Sequence, residues 1–444
     1  MNALKTILSS SIVACAIAAS TPTTASETGR VIVKPANAKV LRAISESRLM
    51  GFIEVPATVH AIGDTGAFVV ESDDAGTEAL LTGFRRWPEA FTYVQPDATF
   101  TSHAVVMPED PEFLHSPSQL WGLYAVSAPK AWMRGQGSGS VVVAVMDSGI
   151  DQFHEDLVDN LWRVKKGFRL QVGQTVIDCR PGDFGFDAID GDCQPQDREE
   201  HGTNLSGIIG ARGDNEIGTV GVNWRVSILP VSFLDRSRGG SVSRAALALE
   251  FIRKLKERNL ADIRVLNLSW GAHHHSRLIE DELMRLAALG VVIVTSAGNE
   301  ARDNDACPMY PAGYDSVSTL ISVAATRRDG NIAQSSNRGR RSIHIAAPGI
   351  GIRTTDPGNS YDSPFGTSMA AAIVTGAVAL LASQCPTLTG VQLKELILRT
   401  ADRRGALEPH VIEGRFLNVQ AASERCATVP LQSRTLQVRT DGLH

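Results

Sequence analysis

From residue 140 onward the chain alternates two hydrophobic patterns. Short, continuous, largely β-branched runs occupy residues 140–146, 226–234, 263–270, 291–296 and 319–325. Such runs predict strands covered on both faces. Between them, residues 241–258, opened by Ser241 or Ser243, and residues 276–289, closed by Gly290, carry helical spacing. The alternation predicts an α/β domain, a mainly parallel sheet with helices on both faces. In such a sheet the working side chains gather beyond the carboxyl ends of the strands. A run of small residues from Met369 to Ala382 is apolar on every side, so it predicts a helix buried deep in a core.

The earlier part of the chain has a different texture. Strand patterns at 31–33, 52–60, 67–71 and 91–100 and helical patterns at 38–47 and 75–87 give a small α+β unit in split βαβ, ferredoxin-like order. Residues 101–121, with Pro108, Pro111 and Pro117 among scattered charges, predict an exposed linker open to proteolytic nicking. At the start, Lys5 precedes an apolar segment at 7–19 and small residues through Ala25. That layout is a secretory signal, too short to span a membrane, with cleavage after Ala19 or after Ala25. Alternatively, Ile12-Val13-Ala14-Cys15 resembles a lipoprotein box with Cys15 as the anchor. The expected organisation is therefore a signal peptide at 1–25, a small domain at 28–102, a linker at 103–120, an α/β domain at 121–426 and a polar tail at 427–444.

Composition adds little. The 444 residues carry a net charge of -5 and no dense Lys/Arg block, which argues against a nucleic-acid partner. Export permits disulfides. Outside the leader, Cys179 and Cys193 bracket one Gly/Asp-rich loop and are the favoured pair; Cys385 and Cys426 form a candidate second bridge, leaving Cys307 unpaired. Spacing alone leaves the connectivity open.

Four polar positions then stand out. Asp147 ends the first strand of the α/β domain, His201 enters a small-residue helix, Asn299 follows a strand ending in Gly298, and Ser368 opens the apolar helix. A serine hydroxyl becomes nucleophilic when an imidazole takes its proton, and the imidazole needs a carboxylate on its other nitrogen. The oxyanion formed on attack needs aimed donors, which a side-chain amide and the serine N–H can supply.

The segments Asp147-Ser148-Gly149-Ile150-Asp151, His201-Gly202-Thr203-Asn204-Leu205-Ser206-Gly207, Ser296-Ala297-Gly298-Asn299 and Gly366-Thr367-Ser368-Met369-Ala370 resemble, in that order, the signatures of subtilisin-like serine proteases. The likeness covers residues 119–422. It implies that Asp147 orients, His201 acts as base, Ser368 as nucleophile and Asn299 as oxyanion donor. It also implies that Ser269, Trp270, Gly271, Ser296, Ala297 and Gly298 line the substrate cleft, and that Asp156 and Asn215 help to hold a structural calcium ion. No cofactor is expected for the chemistry itself. Residues 179–193, with Asp183, Asp187, Asp190 and Asp192, offer a second calcium loop or a solvated acidic loop. The small N-terminal unit resembles the subtilisin propeptide, implying a chaperone and inhibitor cut away in the linker. The expectation is a secreted or periplasmic, monomeric serine endopeptidase acting on polypeptides. The rivals are a catalytically silent binding protein on the same scaffold and a surface-anchored processing protease with one dedicated partner.

Overall fold

The two textures fold as two units, the first around one hydrophobic core and the second around two. The computed structural model describes residues 29–98, 107–237 and 239–426, and the chain divides into units 1–103 and 104–444. The expected leader with Cys15, residues 103–106 of the linker and the tail at 427–444 lie outside the described residues.

The first unit runs β1 (Gly29–Pro35), α1 (Ala38–Ser45), β2 (Thr58–Ala61), β3 (Phe68–Ser72), α2 (Thr77–Arg85) and β4 (Phe91–Pro96). Its antiparallel sheet has the order β2-β3-β1-β4. Asn37 caps α1, its side-chain oxygen accepting from the Val40 N–H at 3.0 Å. Val31, Val33, Ile44, Val70, Leu80 and Phe84 are fully buried between sheet and helices. The strand expected over 52–60 forms only from Thr58, beyond Pro56, and the last strand stops at Pro96 rather than residue 100. Proline supplies no ladder donor, so pairing ends at both places.

The second unit opens with three short helices, α3 (Pro111–His115), α4 (Trp121–Ala125) and α5 (Ala128–Ala131). Then come β5 (Gly137–Asp147), the hairpin β6 (Phe168–Val172) and β7 (Thr175–Cys179), β8 (Phe186–Asp187), α6 (His201–Gly210) and β9 (Arg225–Ser232). Next are α7 (Val242–Glu257), β10 (Ile263–Leu268), α8 (Arg277–Ala288), β11 (Val292–Ser296), β12 (Leu320–Thr326) and β13 (Ile345–Pro348). The chain ends with the hairpin β14 (Thr354–Asp356) and β15 (Ser360–Asp362), α9 (Thr367–Gln384), α10 (Gly390–Thr400), β16 (Asp402–Arg403), β17 (Arg415–Phe416) and α11 (Val419–Cys426).

The sheet order is β16-β17-β13-β12-β11-β10-β5-β9-β8, parallel except at β16–β17. From β5 the chain adds β9 on one side, then crosses to β10, β11, β12 and β13 on the other. The carboxyl end of β5 is therefore the topological switch point, where a crevice opens. The pleat divides β5 between two cores. Val141, Val143 and Val145 join the core of α9, while Val142, Ala144 and Met146 join that of α7 and α8. Helix α9 is long and apolar enough to cross a membrane by length and composition, but it is 89% buried inside the protein.

The linker reading fails from residue 108 onward. Pro111 stands at the first turn of α3, where its missing N–H costs nothing. Phe113 and Leu120 join the main core, Asp110 is fully buried, and Glu112 pairs with Arg353 at 2.9 Å. These prolines start and separate elements instead of marking an exposed connection. Both expected bridges form, Cys179–Cys193 and Cys385–Cys426, with Cys307 free and exposed. Such bridges suit an oxidising, extracellular setting.

Candidate active site

Strands β5, β10 and β11 lie side by side in parallel, so the residues leaving their carboxyl ends share one rim. Asp147 ends β5, Ser269 follows β10 and Asn299 follows β11. Two helices begin at this rim, α6 with His201 and α9 with Thr367 and Ser368.

Asp147 is fully buried, and its Oδ1 accepts from the Ser148 N–H at 2.9 Å and from His201 Nδ1 at 2.8 Å. With Nδ1–H given to the carboxylate, Nε2 is the basic nitrogen of the neutral ring. The imidazole is 19% exposed, against 0% for its carboxylate. The pair is thus a shielded carboxylate behind an imidazole that solvent partly reaches. Its approach is enforced by backbone contact, since a β-carbon on Gly202 would lie 2.1 Å from the Gly149 carbonyl oxygen. That explains the glycine at 202; Gly149 is required separately, by its φ of 118° and a β-carbon position 2.4 Å from the Gln196 carbonyl oxygen.

Ser368 lies in the first turn of α9, where backbone N–H groups lack intrahelical partners. Its Oγ donates to the Ser269 carbonyl at 3.2 Å, and the Ser269 hydroxyl returns a bond to the Ser368 carbonyl at 3.2 Å. Asn267 Nδ2 supports that hydroxyl at 3.0 Å, so the end of β10 is tied to the start of α9. Asn299 accepts through Oδ1 from the Thr367 N–H at 2.9 Å and the Thr367 hydroxyl at 3.0 Å. Its carbonyl end is thereby anchored, and Nδ2 lies over Gly366, 3.3 Å from where a β-carbon would stand. Gly366, at φ 142°, has no such carbon. Two donors, the Ser368 N–H and Asn299 Nδ2, therefore stand at the entrance of α9.

Ser296 and Ala297 are buried at the end of β11, and the Gly298 N–H donates to the Thr367 hydroxyl at 3.2 Å. Trp270 donates through Nε1 to the Met146 carbonyl at 3.0 Å, just before Asp147, and meets Phe233 edge-on at 4.9 Å. Trp270, Gly271, Ala272, Phe233, Tyr310 and Tyr314 line a cavity of about 140 Å³. His273, His274 and His275 are exposed beside it.

Asp156 and Asn215 come together away from the rim. Asp156 accepts from Asn215 Nδ2 at 3.0 Å and from the Thr219 N–H at 2.9 Å. Sequence reasoning missed their third partner, Asp110, which belongs to the stretch read as linker and gives no local signal. Asp110 takes the Asp214 N–H at 2.7 Å on one oxygen, while the other is buried without a hydrogen bond. Burial pushes Asp156 up to about 7 and Asp110 up to about 6, each against backbone N–H donors, and the charge of Asp110 adds to the rise at Asp156. Two buried carboxylates, one raised in part by the charge of the other, fit a hard divalent cation, which prefers oxygen donors. The acidic loop differs. Arg198 forms ion pairs there with Asp187 and Asp190, so a guanidinium already occupies two of the four carboxylates that a second calcium ion would have met. Among the described residues, no cluster of three or more His, Cys, Asp or Glu side chains could hold a metal.

A family profile described as the Subtilase family matches residues 138–416. The chain is 31% identical over 311 residues to "Subtilisin-like protease 2" of Plasmodium falciparum (isolate 3D7), a match covering 68% of this chain and 22% of that much longer relative. It is 31% identical over 334 residues to "Alkaline protease" of Alkalihalobacillus alcalophilus, covering 75% of this chain and 74% of that protein. Among solved structures, a protease from Pseudoalteromonas arctica superimposes with a TM-score of 0.59 at 23% identity, over 72% of this chain and all of that one, a likeness of fold. The switch-point aspartate, the order of the signature segments and the matched span converge, and the chain belongs to the subtilase family of serine proteases.

Proposed function

We propose that this chain is an exported serine endopeptidase that cleaves polypeptides through an acyl-enzyme. The observation that carries the reading is the 2.8 Å bond from His201 Nδ1 to the buried Asp147, which orients Nε2 as a base beside the nucleophile's helix. Ser368 Oγ attacks the scissile carbonyl carbon while its proton passes to His201 Nε2. The imidazolium is stabilised by Asp147. The oxyanion is held by the Ser368 N–H and Asn299 Nδ2. Collapse breaks the C–N bond, and Nε2–H protonates the departing amine. Water, deprotonated by the same nitrogen, then attacks the ester and releases the acid and the free Ser368 hydroxyl.

Ser368→Ala is expected to abolish casein hydrolysis and self-processing, and a fluorophosphonate probe should label Ser368 in the native chain. Undiminished hydrolysis by the variant would end this reading, and a native protein that neither cleaves nor labels would favour the silent binding protein.

The same reading takes residues 28–102 as a propeptide, supported by a core of their own and the split βαβ order. It takes the enzyme as secreted or periplasmic, supported by two disulfides. The N-terminal sequence and mass of the active form check both, together with lipidation at Cys15. A calcium ion would be held by Asp110, Asp156 and Asn215 with backbone carbonyls, as a structural ion rather than a participant in the chemistry. Calcium at a hundred times its Kd should stabilise the protein by about 2.7 kcal/mol. That gain should be absent in Asp156→Asn; an equal calcium-induced rise in melting temperature in the variant would remove the site.

A further inference from the structure

The Asp147–His201 geometry depends on a residue outside both motifs. Asp197 lies four positions before His201, in the turn leading into α6. Its Oδ1 accepts from the Ser148 hydroxyl at 2.8 Å and from the Glu199 N–H at 2.9 Å. Its Oδ2 accepts from the Thr203 N–H at 3.1 Å and from the Thr203 hydroxyl. Each hydroxyl is also committed as an acceptor on its other side. Ser148 Oγ takes the Gly202 N–H at 2.9 Å, and Thr203 Oγ1 takes the Asp151 N–H at 2.9 Å. The single proton of each hydroxyl is therefore directed at the carboxylate.

Four donors thus converge on two oxygens, three of them from the two segments that carry the acid and the base and the fourth, the Glu199 N–H, from Asp197's own turn. Ser148 and Asp151 follow Asp147, while Gly202 and Thr203 follow His201. Only an ionised carboxylate accepts all four bonds, because an isosteric amide would turn its NH₂ toward two of these donors. The glycine contact between Gly149 and Gly202 leaves no slack, so loss of the clamp moves the imidazole relative to its acid. The neighbouring Arg198 points to Asp187 and Asp190 and anchors the other side of the same turn.

We infer that Asp197, acting through Ser148 and Thr203, is a positioning residue that sets the His201–Asp147 alignment on which turnover depends. The inference rests on the proteolytic reading above. Misplacement of a catalytic group by the order of an ångström lowers turnover by about a hundredfold. Asp197→Asn is therefore expected to lower kcat by roughly ten- to a hundredfold with KM changed less than about twofold. Ser148→Ala should lower kcat in the same direction, and Ser148→Thr, which keeps the hydroxyl, should restore most of it. The double variant Ser148→Ala/Asp197→Asn should lose less than the product of the single losses, because both remove one shared bond.

The experiment is kinetics on a peptide substrate, with active sites counted by fluorophosphonate titration so that only folded enzyme is compared. An unchanged kcat in Asp197→Asn, a loss confined to KM, strictly multiplicative losses, or no recovery in Ser148→Thr would each overturn the inference. Should Asp197→Asn fail to fold, the Ser148→Ala and Ser148→Thr pair decides alone. Failure of the proteolytic reading is separate, since it appears in the unaltered enzyme as absence of labelling and cleavage.

Discussion

Two histidines of the α/β unit use their Nδ1 atoms in opposite ways, and only His201 is proposed as a base. His201 gives its Nδ1–H to a buried carboxylate and keeps Nε2 toward the rim. His344, just before β13, uses Nδ1 as an acceptor, taking the Ser322 N–H at 3.1 Å with the Ser322 hydroxyl 2.7 Å away. Part of its surface is open, yet the ring sits deep among protein atoms, and that burial, followed by the charges of Lys394 and Arg415, lowers its pKa to about 3. A protonated His344 would lose an acceptor and gain two cationic neighbours. Proximity of serine and imidazole therefore does not make a catalytic pair. The charge on the far nitrogen and access from solvent decide it.

The largest effect follows from removing that charge at His201. Asp147→Asn keeps the volume but lets the amide take either hydrogen-bonding role, so the Nδ1–H tautomer is no longer enforced. We expect kcat to fall by on the order of 10⁴, the cost of losing the acid of such a triad. Burst kinetics should show slow acylation in a folded enzyme; a loss below tenfold would mean the tautomer is fixed by something else.

The next effect separates the two histidines by pH. The folded pKa of His344, about 3, lies below the ordinary value of 6.5. Between those values the unfolded chain binds the proton and the folded one does not, so stability rises with pH. The contribution is fully present above about 6.5 and is lost as pH falls toward 3, on the order of 4 kcal/mol in all. Urea unfolding at a series of pH values should show this acid slope, and His344→Asn should flatten it while neutral activity persists. An identical slope in the variant would assign the acid sensitivity to other groups.

Much of this was legible in the sequence because the signals are local. The β-branched run at 140–146 is the centre of β5, and Ser241 caps α7 by accepting from the Arg244 N–H at 3.2 Å. The four signature segments mark the rim because each joins a strand end or helix start to a polar side chain within a few residues. What stayed hidden is long-range. Asp110 could not be recognised because prolines that begin helices look the same in one dimension as prolines that break them. Arg198 pairs with two aspartates of an acidic loop that precedes it across a disulfide, and nothing in the loop's composition announces it. Asp197 had a usable signal, a carboxylate one helical turn ahead of His201, but its partner Ser148 lies 49 residues away.

The smallest effect comes from deleting the Ser322 hydroxyl. Ser322→Ala is expected to leave turnover intact and to cost a little stability, the reverse of what is expected of Ser368→Ala. The Ser322 hydroxyl donates to the Ser342 carbonyl at 2.8 Å and accepts from the His344 N–H at 3.1 Å. That N–H also reaches the Ser322 carbonyl at 3.1 Å, and His344 Nδ1 retains the Ser322 N–H, so neither group is orphaned. The cost then falls near the low end for a buried hydrogen bond, about 1 kcal/mol, or roughly 2 °C in melting temperature for a domain of this size. Hydrolysis of a peptide substrate at neutral pH should be unaltered. A kcat loss beyond about twofold would show that the β12–β13 edge is coupled to the rim, because a 1.36 kcal/mol change in the barrier already corresponds to tenfold. The contrast between the two histidines would then be one of degree, set by distance along a common sheet.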